Sequence, residues 1–174
     1  SELIDTGNVE HWVTIAESIP SNTKGYNADF KVSIAGATQN IVFSIGFFEG
    51  TSTHDTTTCP VKIKSKTSSY TAGKKLLGVR LVKSNTNGTG SKVQILIKGT
   101  STMNLITSKQ QTSSYGGALL VEPYIDDTPT LPDGITPGTF ITETKVSGTQ
   151  EVIWTGLLNT TGVDTSLISG ERFD

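Results

Sequence analysis

The residues that could do chemistry are few. Two imidazoles are present, His11 and His54, and one thiol, Cys59. His54 is followed directly by Asp55, the two residue types that form the base and orienter of a Ser-His-Asp triad. Neighbours on an extended segment point to opposite sides, however, so this pair has poor geometry for that task. Gly88-Thr89-Gly90-Ser91-Lys92 has the composition of a phosphate loop but not its spacing. A strand pattern also follows it, where a phosphate would need a helix N-terminus. Glu122, Asp126 and Asp127 offer carboxylate oxygens, but their spacing matches no EF-hand and two prolines flank the aspartates. The carboxylates elsewhere are scattered and form no paired motif for glycoside hydrolysis. No Gly-x-Ser-x-Gly elbow, His-Glu-x-x-His or Walker motif occurs. The expectation is a protein with no catalytic residues, no metal and no cofactor.

What remains is recognition. Thr51 to Thr58 is a Thr-rich stretch with His54 and Asp55 near its middle. Tyr70 and Tyr115 each follow small polar residues, in Thr67-Ser68-Ser69-Tyr70 and Thr112-Ser113-Ser114-Tyr115. Tyrosines among such residues suit adaptable binding surfaces. His54, Asp55, Tyr70 and Tyr115 are therefore the expected ligand contacts. Trp12 and Trp154 are expected in a core or a subunit interface, and Cys59, before Pro60, is expected to be an inert buried thiol.

Composition narrows the class. Of 174 residues, 34% are hydrophobic and 17% charged, and the formal net charge is −2. That balance argues against phosphate-driven nucleic-acid binding. No apolar run reaches the ~18 residues of a membrane-spanning helix, so no membrane insertion is expected. A single cysteine excludes an intrachain disulfide. The start, Ser1-Glu2-Leu3-Ile4-Asp5, lacks a basic n-region and an initiator Met, so the expectation is no signal peptide and a fragment or processed piece.

The elements that must position these residues read as strands. Phe30 to Ile34, Val61 to Lys64 and Val93 to Lys98 alternate apolar and polar residues with period two, as half-buried antiparallel strands do. Lys31, Lys62, Lys64, Lys66 and Lys98 would then lie on outer faces. Ile41 to Phe48 would place Phe43, Ile45 and Phe47 together, and Leu76 to Val82 would do the same with Leu77, Val79 and Leu81; both read as central strands. Trp12 to Ala16, Ala118 to Glu122, Phe140 to Glu143 and Glu151 to Trp154 complete the set. Asn87-Gly88 predicts a hairpin joining the strand near Val79 to that near Ile95. Gln39-Asn40 and Tyr115-Gly116-Gly117 read as further turns. Helical spacing is not sustained anywhere. The fold class expected is all-β: an antiparallel β-sandwich, jelly-roll-like and trimeric. Residues 1–148 would form the sandwich, with a proline-rich arm at 123–137 holding four of the six prolines. Residues 149–174 would be a C-terminal segment, the start of a further module, with too little apolar content to fold alone.

Two stretches resemble a known family. Glu10-His11-Trp12-Val13-Thr14-Ile15-Ala16, then Gly25-Tyr26-Asn27-Ala28-Asp29-Phe30-Lys31-Val32-Ser33-Ile34, is similar to the opening of bacteriophage tail-fibre distal domains. Glu151-Val152-Ile153-Trp154-Thr155-Gly156, through Leu167 to Phe173-Asp174, resembles the start of another fibre module. The resemblance implies an all-β fibre tip, a homotrimer on the outside of a virion, that binds a bacterial surface glycan or protein. It transfers no individual functional residue. The rival readings are a monomeric carbohydrate-binding or adhesin module, a depolymerase or esterase module, and a structural shaft or decoration domain without a ligand.

Overall fold

The computed structural model describes residues 3–18, 24–36, 39–49, 60–67, 73–84, 91–115, 118–128, 140–146, 151–160 and 164–173. These contain twelve strands: β1 (Leu3–Ile4), β2 (His11–Ser18), β3 (Lys24–Ile34), β4 (Asn40–Glu49), β5 (Val61–Lys66), β6 (Lys74–Ser84), β7 (Lys92–Gly99), β8 (Met103–Tyr115), β9 (Ala118–Ile125), β10 (Phe140–Val146), β11 (Glu151–Thr160) and β12 (Asp164–Arg172). No helix occurs among the described residues. Two antiparallel sheets face each other, one ordered β1-β8-β3-β4-β5 and the other β10-β11-β12-β6-β7-β2-β9. The all-β sandwich expected from the alternation is the architecture observed.

The alternating strands place their apolar sets as the pattern requires. Phe30, Val32, Ile34, Ile41, Phe43 and Ile45 of the five-stranded sheet are buried against Val13, Ile15, Val79, Leu81, Val93, Ile95 and Ile97 of the seven-stranded sheet. Phe30 and Phe43, cross-strand partners, stack with ring centroids 5.3 Å apart. The strands joined through Asn87-Gly88 pair as the hairpin predicts, with Val79 opposite Ile95. The turn between β3 and β4 lies earlier than Gln39-Asn40: Ala35 and Gly36 form its first half, while Asn40 already pairs with Ser33.

Bulges overturn two details of the alternation. In β6 the register shifts between Leu76 and Gly78. Leu76 therefore joins Val79 and Leu81 in the inter-sheet core, and Leu77 turns to the other face, packing with Trp12 and Leu96. In β5, Lys66 pairs with Ile41 and Ser65 with Val42, yet Phe43 pairs with Ile63, so Lys64 is the extra residue. Lys66 consequently shares the inner face with Ile41 instead of continuing the outer lysine row, and its ammonium sits 4.7 Å from the Phe173 ring centroid. Lys31, Lys62 and Lys64 are exposed as expected.

Polar contacts stitch the layers where strand pairing cannot. The buried Gln39 side chain donates to the Leu76 carbonyl (2.9 Å) and accepts from the Leu76 amide (2.7 Å), so one amide side chain acts as a strand peptide at the β6 bulge. Arg172 donates twice to Glu10, at 2.6 and 2.8 Å, tying β12 to the entry of β2. The segment after Thr149 completes the larger sheet: β12 pairs with β6 from Ser166–Ser84 to Arg172–Gly78, and β11 pairs with β12.

Gly78 lets β12 approach. A Cβ there would meet the Glu171 carbonyl oxygen at 2.9 Å and the Arg172 Cα at 3.3 Å. Gly78→Ala is expected to lower stability by about 1–3 kcal/mol, by pushing β12 off β6; urea denaturation with the Trp fluorescence signal measures it.

Glu171 pairs with Val79 and is 8% exposed. Burial pushes its carboxyl above the ordinary range, and the Lys66 charge only partly offsets this. A carboxyl raised on folding stabilises the fold below its unfolded pKa and loses that contribution as pH rises through the folded value. Glu171→Gln should therefore raise the melting temperature at pH 7 and change it little at pH 4. Equal shifts at both pH values would contradict this account.

Candidate functional site

Of the residues expected to bind a ligand, His54, Asp55 and Tyr70 lie outside the described residues, as does Cys59. Their points of departure are defined. β4 ends at Glu49, opposite Lys24, and β8 ends at Tyr115, opposite Gly25. The connection holding His54 and Asp55 thus springs from the same end of the five-stranded sheet as Tyr115. The connection holding Tyr70 leaves after Thr67, whose amide donates to the Asn40 carbonyl at the opposite end of that sheet.

Among the described residues, an extended polar cluster forms that the sequence reading did not assemble. It lies on the outer face of the seven-stranded sheet. Cross-strand register lines up Tyr124, Thr14, Gln94, Arg80 and Gly170 over five strands. Residues directly opposite on neighbouring strands share a face. Arg80 is fully buried; its guanidinium stacks on Trp12 at 4.3 Å from the ring centroid, and its Nε donates to Gln94 Oε1 at 2.6 Å. Gln94 Nε2 in turn donates to Thr14 Oγ1 (3.0 Å) and to the Asp126 carbonyl (3.1 Å). Burial pulls Arg80 down to about 9, with Asp126 and Asp127 acting against that, so the group remains charged at neutral pH.

The residues after β9 close this cluster. The Asp126 amide donates to the Trp12 carbonyl (2.8 Å), and the Trp12 amide donates to Asp127 Oδ1 (2.8 Å). Asp127 Oδ2 lies 2.6 Å from His11 Nδ1. Lys92 donates to Asp126 Oδ2 at 2.7 Å. Burial is the largest single effect and opposes charge on both members of that pair, but their hydrogen bond, their mutual charge attraction and contacts with Thr128 and Tyr124 together outweigh it. Lys92 is held above, and Asp126 below, their ordinary ranges. Tyr124 donates to Glu17, and burial together with that carboxylate raises its phenol. Asp126 and Asp127, read from the sequence as possible cation ligands, here hold Lys92, His11 and the β2 backbone. No group of three His, Cys, Asp or Glu residues able to hold a metal occurs among the described residues. A signal for the cluster did exist in the sequence: Arg80 interrupts the apolar run Leu76 to Val82, and a charge inside a central strand needs buried partners.

Removing Arg80 would strip Gln94 Oε1 of its donor and Trp12 of its stacking partner. Arg80→Ala is expected to cost about 3 kcal/mol or more, and Arg80→Met less, because it retains the contact with Trp12. Chemical denaturation of the two variants side by side checks the order.

Compared with known proteins, the chain matches no family model, no curated protein and no solved structure.

Proposed function

We propose that the chain is the distal domain of a bacteriophage tail fibre, binding a glycan or outer-surface protein of a bacterial cell from the outside of the virion. The observation that carries the reading is where the resembling segments fall. Glu10 to Ala16 leads into and makes up most of β2, Gly25 to Ile34 lies within β3, and Glu151 to Gly156 lies within β11. The same segments that resemble fibre modules are thus strands of an all-β sandwich. The jelly-roll form of that reading draws support from the chain's repeated crossing between sheets, after β1, β2, β5, β7 and β8.

On this reading the work is done by adhesion and not by a reactive centre. His54, Asp55, Tyr70 and Tyr115 contact the receptor. Each contact is weak, and three copies per fibre raise the avidity. No nucleic acid, metal or cofactor takes part.

The test is a fluorescently labelled chain applied to bacterial strains with defined surface mutants, with intact particles as competitors. Binding is expected to a subset of strains and to vanish with one class of surface mutant. Tyr115→Ala and the paired change His54→Ala with Asp55→Ala should each weaken binding roughly tenfold. Binding to no strain would leave a shaft or decoration domain. Binding by a monomer to free oligosaccharide would favour a carbohydrate-binding module.

A further inference from the structure

The two outer faces of the sandwich differ. On the seven-stranded sheet Trp12, Leu77 and Leu96 are buried on that face, and Arg80 stacks on Trp12. The five-stranded sheet presents its outer face to water. β3 is its middle strand, with β8 on one side and β4 on the other. Phe30 and Val32 of β3 point into the core, so Asp29, Lys31 and Ser33 point outward.

Register sets out the groups on this face. One row reads Ser108–Lys31–Val42–Ser65. The next reads Gln110–Asp29–Ser44–Lys62. All of these side chains are exposed or half-exposed. Asp29 accepts from Lys64 (2.9 Å) and Ser44 (2.8 Å), and these bonds hold its carboxyl below the ordinary range. Lys64 thus matches the one carboxylate of the two rows, and Lys31 and Lys62 stand as surplus positive charge in a chain whose formal net charge is −2. Lysines on an edge strand discourage strand pairing, which accounts for Lys62 and Lys64 of β5 but not for Lys31 on the middle strand.

Lys31 and Lys62 lie two strands and two residues apart, about 12 Å between Cα atoms at ordinary sheet spacing, within the span of a short oligosaccharide. Beside them stand the hydroxyls of Ser44, Ser65 and Ser108 and the amide of Gln110, groups that can both donate to and accept from sugar hydroxyls. We propose that the outer face of the five-stranded sheet binds an acidic glycan, with its anionic groups on Lys31 and Lys62 and its hydroxyls on the serines and Gln110. Charge complementarity selects this class of ligand. The positive charges are separate points on a flat polar face, which fits a polymer charged at intervals; a nucleic acid, with its closely spaced phosphates, needs a dense basic strip. That the glycan belongs to a bacterial surface rests on the adhesion reading; the face and its charge do not.

Biolayer interferometry of the full chain over immobilised polymers tests the proposal, with polygalacturonate, poly(glycerol phosphate), neutral dextran and a DNA duplex as probes. One or both of the first two are expected to bind, and dextran and the duplex are not. Binding should fade at about 1 M salt, where the screening length is about 3 Å. Lys31→Glu and Lys62→Glu should each weaken it roughly tenfold, and Lys31→Arg should stay close to wild type. Lys98→Glu, an equal change of net charge on β7 of the other sheet, should leave it unchanged. Circular dichroism checks that each variant is folded. Binding to polygalacturonate alone assigns a uronic acid as the anionic group, binding to poly(glycerol phosphate) alone a phosphodiester, and binding to both a ligand chosen by charge. No binding to either, equal binding to dextran or DNA, or a loss as large in Lys98→Glu overturns the proposal. Binding to an acidic polymer without attachment to any bacterium upholds this surface and removes the receptor reading. Attachment to bacteria with no binding to either acidic polymer does the reverse.

Discussion

Strand β6 carries the constraint on which the rest of the structure depends, because it must satisfy two faces at once. It runs between β7 and β12, with Leu76, Val79 and Leu81 in the inter-sheet core and Leu77 and Arg80 buried on the outer face. A strictly alternating strand would send Leu77, Val79 and Leu81 to one side. The bulge between Leu76 and Gly78 changes the parity, and the change leaves backbone groups at the bulge without ladder partners. Three of these groups are met from outside the sheet: Gln39 donates to the Leu76 carbonyl and accepts from the Leu76 amide, and the Phe173 amide donates to the Leu77 carbonyl. Residues far apart in the chain thus converge on one irregular point, which also fixes where the five-stranded sheet and the C-terminal strand dock.

The buried charge on the outer face follows from the same strand. Once Arg80 is turned away from the inter-sheet core it is still shielded from water, and a guanidinium in that position needs partners. The row Tyr124–Thr14–Gln94–Arg80 supplies them across four neighbouring strands, and Trp12 supplies a ring face. Asp126 and Asp127 then draw the chain leaving β9 onto the ends of β2 and β7. The carboxylates act as fasteners for the segment that leads toward the prolines, which is why their early appearance as cation ligands does not match their contacts.

At the two margins of the core the physics differs. On the β12 side the core row reaches Glu171, buried beside the charge of Lys66, whose ammonium lies over the Phe173 ring. On the β9 side the equivalent row ends in Ile125, which remains partly in water. One margin is sealed within the chain at an electrostatic cost, and the other is an apolar rim. The proposed adhesive role needs a rigid sandwich to hold Tyr115 and the connection that carries His54 and Asp55.

The sequence by itself determined the strands and their class. Period-two runs such as Phe30 to Ile34 and Val61 to Lys64 can bury one face only as pleated strands, and Asn87-Gly88 between two apolar runs predicts the pairing of β6 with β7 that the register shows. It did not reveal β8, Met103–Tyr115, whose polar composition suits a strand near the sheet edge with little to bury beyond Met103 and Leu105. Nor did it reveal the bulges, because an extra residue leaves no mark in composition; Lys66 and Leu77 were each assigned to the wrong face for that reason alone. The candidate ligand residues were chosen by type, and only their strand ends are now placed. Arg80 inside an apolar run signalled a buried charge, but its partners were decided by tertiary structure, since Trp12, Arg80, Gln94, Tyr124 and Asp126 become neighbours only when β2, β6, β7 and β9 align in one register.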